Sequence, residues 1–129
     1  MNRALTFLTA VLGFTGVALG AFGAHGLKSS VEGLADGAQR LGWWDQAARY
    51  HLLHALAVGL CAVLAGQVSS RLPVVAAWVL TLGVALFSGS LYVMALTGLR
   101  GLGAVTPLGG IAMLVGWTLV GLSALRLAP

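Results

Sequence analysis

Residues 4–27, 50–70, 72–99 and 101–125 of this 129-residue chain contain no Asp, Glu, Lys or Arg. A helix needs about 20 mainly apolar residues to cross a bilayer, and each of these stretches is long enough. Four such runs leave no room for a soluble module. The chain therefore reads as a single integral membrane domain, residues 1–129, with spans near 4–24, 46–67, 73–97 and 106–125. The expected class is all-α, an antiparallel four-helix bundle with a short polar, partly helical loop between helices one and two.

Composition agrees. Charged residues make up 8% of the chain, where soluble domains carry about 25%. Nineteen glycines suit membrane helices, because glycine lets two backbones approach closely. The formal charge of +4 does not indicate nucleic acid. Arg3, Lys28, Arg40, Arg49, Arg71, Arg100 and Arg126 form no patch, and nearly all flank a span, as snorkelling anchors do. Cys61 is the single cysteine, so no intrachain disulfide forms. Met1-Asn2-Arg3 before an apolar run resembles a secretory signal, but the run exceeds a signal core and more spans follow. It is read as an uncleaved first helix.

Gly16, Gly20 and Ala24 form a small-residue stripe on helix one, the usual mark of a close helix–helix contact. Glu32, Asp36 and Arg40 recur every fourth residue, which predicts a short surface helix that Gly33, Gly37 and Gly42 should fray. Trp43 and Trp44 suit the headgroup boundary, with helix two starting near Asp45. Pro73 fits the first turn of helix three and Gly98 its C-terminal cap. Thr106-Pro107 reads as the N-cap and first residue of helix four. The glycine-rich run 98–103 lacks the Lys-Ser/Thr ending of a phosphate loop and reads as a flexible turn.

Four spans put both chain ends on one side, called side A here, with the turn at Arg71. Side B then holds the polar loop and the turn at Arg100. Three cations on side A against four on side B give the positive-inside rule nothing to decide. Antiparallel packing does, however, collect the chemistry-bearing residues in the side B half: His25, Tyr50, His51, His54, Ser88, Ser90, Tyr92 and Thr106. His51 and His54 stand one turn apart, with His25 at similar depth. Such imidazoles either bond to headgroups, water and backbone carbonyls, or bind haem, quinone or lipid; a metal is disfavoured because no Cys or acid stands at ligand spacing. Ser88 and Ser90 read first as packing serines and second as the lining of a polar cavity. No acid or base lies deep in any span, which argues against a proton-driven transporter.

The blocks Gly20-Ala-Phe-Gly-Ala-His-Gly-Leu-Lys28, Tyr50-His51 with His54-Ala-Leu56, Phe87-Ser-Gly-Ser-Leu-Tyr92 and Thr106-Pro-Leu-Gly-Gly110 resemble the YgdD-like membrane proteins. That family is known as domain of unknown function 423 and has mitochondrial relatives among small eukaryotic transmembrane proteins. The resemblance runs through essentially the whole chain in the same block order. It implies a small four-span protein of the bacterial cytoplasmic membrane, and no reaction, cofactor or catalytic residue. The leading expectation is a non-enzymatic accessory, assembly or lipid-organising protein. It has the lipid bilayer and a membrane-protein partner or second copy as its contacts, and no resident cofactor. The alternative is a quinone-, haem- or lipid-binding module built on the histidines.

Overall fold

A computed structural model describes residues 2–127, which form four long helices and, among the described residues, no strand. Helix α1 (Arg3–Val31) begins at Asn2, whose Oδ1 accepts from the backbone N–H groups of Ala4 and Leu5 at 3.1 and 3.2 Å. These are two of the donors that a helix start leaves unpaired. Helices α2 (Gly37–Leu64), α3 (Leu72–Thr97) and α4 (Thr106–Ala124) follow, with a 3₁₀ turn (Arg100–Ala104) before α4. Each of the four is long and apolar enough to span a membrane. Pro73 lies in the first turn of α3. Gly98 ends α3 in the left-handed region at φ 74°, where a side chain is strained.

The side B connections differ from the expectation drawn from sequence. The predicted surface helix through Glu32, Asp36 and Arg40 does not exist as a separate element. Instead α1 continues to Val31 and α2 starts at Gly37, so only residues 32–36 form the loop. Gly37 meets the carbonyl of Val31 so closely that a Cβ has no room there. Gly42 sits inside α2 without breaking it, because Leu41, Trp43 and Trp44 pack with Leu27, Val31 and Ala95; tertiary burial overrides local propensity. The Asp36–Arg40 pair does form, at 3.0 Å. Trp44 is not a headgroup anchor: it is buried, and its indole Nε1 donates to the Leu19 carbonyl at 2.7 Å. Thr106 is not the N-cap of α4, which is Val105 without a side-chain cap. Within the glycine-rich run, residues Arg100–Ala104 form a 3₁₀ turn.

The helices pack antiparallel in chain order, α1 on α2, α2 on α3 and α3 on α4. Helices α2 and α3 are therefore central, and α1 and α4 flank them. In a membrane this packing has no hydrophobic driving force, because lipid tails are as apolar as the helices; close fit supplies the energy instead. The fit is tightest between α3 and α4. A Cβ on Gly109 falls on the Phe87 backbone, one on Gly83 meets Met113 Cγ at 2.7 Å, and one on Gly116 meets Leu80 Cγ at 2.6 Å. Three glycines thus let two helices approach. Near side A the core is Leu5, Val58, Cys61, Ala76, Ala77 and Leu80, all almost fully buried.

Candidate functional site

The polar residues of the side B half divide into three separate groups. His51 lies on the α2 face that meets both α1 and α3. Its Nε2 is 3.3 Å from Thr15 Oγ1, and its Nδ1 is 3.1 Å from the Tyr92 hydroxyl. Thr15 has one hydroxyl proton and directs it to the Val11 carbonyl at 2.8 Å, so towards His51 it accepts. His51 therefore carries its proton on Nε2, and its Nδ1 accepts from Tyr92. The result is a directed chain from Tyr92 through His51 and Thr15 to the Val11 carbonyl, tying α3, α2 and α1 together.

His54 has the opposite arrangement. An indole N–H only donates, and Trp117 Nε1 lies 3.2 Å from His54 Nε2, so Nε2 accepts. Nδ1 then carries the proton and donates to the Tyr50 carbonyl at 2.7 Å. The Tyr50 ring stacks on His54 with centroids 5.9 Å apart and leans on Phe87 at 4.5 Å. Trp117 is about three turns into α4, ~16 Å along its axis at 1.5 Å per residue, which is near the middle of a ~30 Å hydrocarbon layer. His54 is consequently a mid-membrane group and not an interfacial one.

The serines form the third group. Ser88 Oγ donates to the Ala47 carbonyl across the α2–α3 contact at 2.8 Å, fully buried. Ser90 Oγ donates to Phe87 O at 2.9 Å and so accepts from Thr106 Oγ1 at 2.6 Å, which links α3 to the start of α4. His25 joins none of these groups. It is exposed in a π-helical turn (Gly23–Leu27) of α1, where Gly23 makes room for the Trp44 ring. Of the helix-one stripe, Gly16 faces Leu52 of α2 at 2.8 Å from its would-be Cβ, whereas Gly20 has nothing within 4 Å and Ala24 is exposed.

The eight chemistry-bearing residues thus do not converge on one point. Both ring nitrogens of His51 and of His54 already have partners, and among the described residues no buried side-chain nitrogen or oxygen lacks one. No group of three His, Cys, Asp or Glu side chains among those residues is placed to hold a metal. Sequence reasoning missed Trp117 and Thr15. Trp117 was detectable: an indole that deep lies below the aromatic belt, so its N–H needs an internal acceptor. Thr15 gave no such signal, since a helical threonine can bond to its own i−4 carbonyl.

A family model described as "Protein of unknown function (DUF423)" matches residues 19–110. The chain belongs to that family. It is 40% identical over 129 residues to the inner membrane protein YgdD of Escherichia coli K12, covering 98% of this chain and 92% of that protein. It is 37% identical to the membrane protein YwdK of Bacillus subtilis, covering 96% and 98%, and 41% identical to the membrane protein SH2409 of Staphylococcus haemolyticus, covering 85% of each. No solved structure matches. With four apolar helices and these family members, the protein is a multi-pass protein of the cytoplasmic membrane. The matched segment runs from Leu19 to Gly110 and includes both buried histidines, Tyr92, Ser88 and Ser90.

Proposed function

We propose that the protein is a non-catalytic accessory or assembly factor that docks a membrane-protein partner through the outer face of α1. The observation that carries this reading is the one-sided packing of α1. Only 11% of its most apolar 18-residue window is buried, against 56% for α2. Phe7, Phe14 and Val17 are exposed on it, and Gly13 and Gly20 have open space where a Cβ would stand. Glycines beside large apolar side chains on a lipid-facing helix present the knobs and hollows that helix association uses. The interior polar groups support the same reading, because His51, His54, Ser88 and Ser90 already have hydrogen-bond partners on other helices.

The test is the size of the complex released from native membranes in mild detergent, read by blue-native electrophoresis. Wild-type protein should migrate in an assembly larger than the monomer. Gly20→Leu, whose Cβ meets nothing within 4 Å, should release the monomer. An assembly of unchanged size in Gly20→Leu and in Gly13→Leu, or a wild-type monomer, would overturn the reading.

A further inference from the structure

Helices α2 and α4 both pack on α3 but scarcely on each other, so a groove runs between them. The His54–Trp117 hydrogen bond crosses this groove at mid-membrane. Towards side B it encloses about 480 Å³, with Tyr50, Phe87, Pro107, Gly110, Leu114 and Trp117 among its walls. Towards side A a second hollow of about 390 Å³ shares His54 and Trp117 and is otherwise aliphatic, lined by Leu53, Leu56, Ala57 and Leu60.

Three features of the side B half define what it can hold. Pro107 to Trp117 spans ~15 Å along α4, the depth of one leaflet's hydrocarbon. The hollow exists because Gly110 has no side chain; its would-be Cβ meets only the Phe87 ring, at 4.0 Å. The deep end is closed by His54 and Trp117, whose nitrogens are bonded to each other and to the Tyr50 carbonyl, leaving no donor there for the ring carbonyl of a quinone. Polar recognition is left to the Tyr50 hydroxyl in the wall and to the groups at the mouth. Trp43 lies seven residues before Tyr50, on the same face of α2, ~10 Å nearer side B. The Arg100 guanidinium sits over Trp43 at 5.7 Å from the ring centroid and donates to Gln39 Oε1 at 2.7 Å. Arg40 has Asp36 and Arg49 has Asp45 as carboxylate partners. Arg100 has none among the described residues.

We propose that this half-groove binds one anionic phospholipid of the side B leaflet, one acyl chain lying between α2 and α4 and its phosphate meeting Arg100. An aromatic-walled slot with a cation at its rim is the usual build of a site for an amphiphile. A cation between membrane helices that lacks its own carboxylate favours an anionic head. The site is independent of the α1 partner reading, and either stands if the other fails.

The full chain, reconstituted in vesicles of equal phosphatidylglycerol and phosphatidylcholine and released for native mass spectrometry, tests it. Wild-type protein should retain one phosphatidylglycerol. Arg100→Gln should lower the preference for phosphatidylglycerol over phosphatidylcholine about fivefold, the effect expected of one cation near a lipid head. Gly110→Leu should abolish retention. If that variant misfolds, Leu114→Trp on the exposed rim of the groove keeps the test open and should do the same, while Leu82→Trp, exposed on α3 and outside both hollows, should retain the lipid. Retention in the supplied ratio by wild-type protein, unchanged retention in Leu114→Trp, or an isoprenoid quinone found in place of the phospholipid would each overturn the proposal.

Discussion

His54 Nε2 accepts a hydrogen bond from the Trp117 indole at 3.2 Å, and this polar link joins two helices, α2 and α4, that otherwise hardly meet. It closes the row of helices on one side of α3 at the middle of the membrane. Because Trp117 can only donate and the Tyr50 carbonyl can only accept, the pair admits one tautomer of a neutral imidazole. His51, one turn away, is held by Tyr92 and Thr15 in the other tautomer. Two histidines three residues apart thus hold opposite protonation patterns, each imposed by its neighbours.

That arrangement is directly observable. In protein labelled with ¹⁵N at histidine, His54 should show a protonated Nδ1 and His51 a protonated Nε2. Tyr92→Phe removes the donor to His51 Nδ1 and should shift only the His51 signals. A His51 signal unchanged in Tyr92→Phe would mean that the hydroxyl does not set its tautomer.

Trp117→Phe removes the donor and leaves His54 Nε2 unpaired in an apolar setting. Hydrogen bonds between membrane helices average about 0.6 kcal/mol and reach about 1.7 kcal/mol, so a loss of about 1 kcal/mol is expected in reversible unfolding. The double variant His54→Phe/Trp117→Phe should lose less than the sum of the single losses, because residues in contact couple. Additive losses would deny the bond any energetic role.

The four spans were legible because charge-free runs of 20 or more residues permit little else. The turn residues Pro73 and Gly98 were legible for local reasons, since ring closure and a positive φ act at one position. The side B loop was not, because Gly33, Gly37 and Gly42 argue locally for a broken helix. What extends α2 back to Gly37 is packing of Trp44 and Leu41 on residues of α1 and α3, which no local rule contains. Topology alone put the histidines towards side B, without showing that His54 lies near the middle of the span. Their separation was hidden because it depends on which neighbour each face of α2 meets. The stripe on α1 drew attention as a packing motif, yet the closest approach is at Gly83, Gly109 and Gly116, and the seven-residue spacing of the last two was the available signal.

Those glycines predict a sharp contrast. Gly109→Ala places a methyl on the Phe87 backbone, which cannot move aside as a side chain does, and overpacking of this kind costs about 3 kcal/mol. Gly20→Ala meets nothing within 4 Å and should stay within about 0.5 kcal/mol of wild type, with helix propensity slightly in its favour. Thermal unfolding in detergent, followed by intrinsic tryptophan fluorescence, separates the two. Similar midpoints for both variants would contradict the α3–α4 approach.

The C-terminus of α3 gives the last test. Gly98 has φ 74°, and an L residue held there pays about 1–2 kcal/mol. Arg40 lies against Gly98, its Nη1 3.5 Å from the Leu96 carbonyl and its Nε bonded to Asp36, so the cation faces the negative end of the α3 dipole. Gly98→Ala strains the backbone and displaces Arg40 together, whereas Arg40→Gln removes the guanidinium with its Asp36 and Leu96 contacts and leaves the backbone unstrained. Gly98→Ala should therefore lower the unfolding midpoint more than Arg40→Gln. If the displaced guanidinium contributes, the double variant should fall short of the sum. Equal midpoints for Gly98→Ala and wild type would show that α3 ends without the left-handed residue, and the Arg40 contact would then lose its anchor.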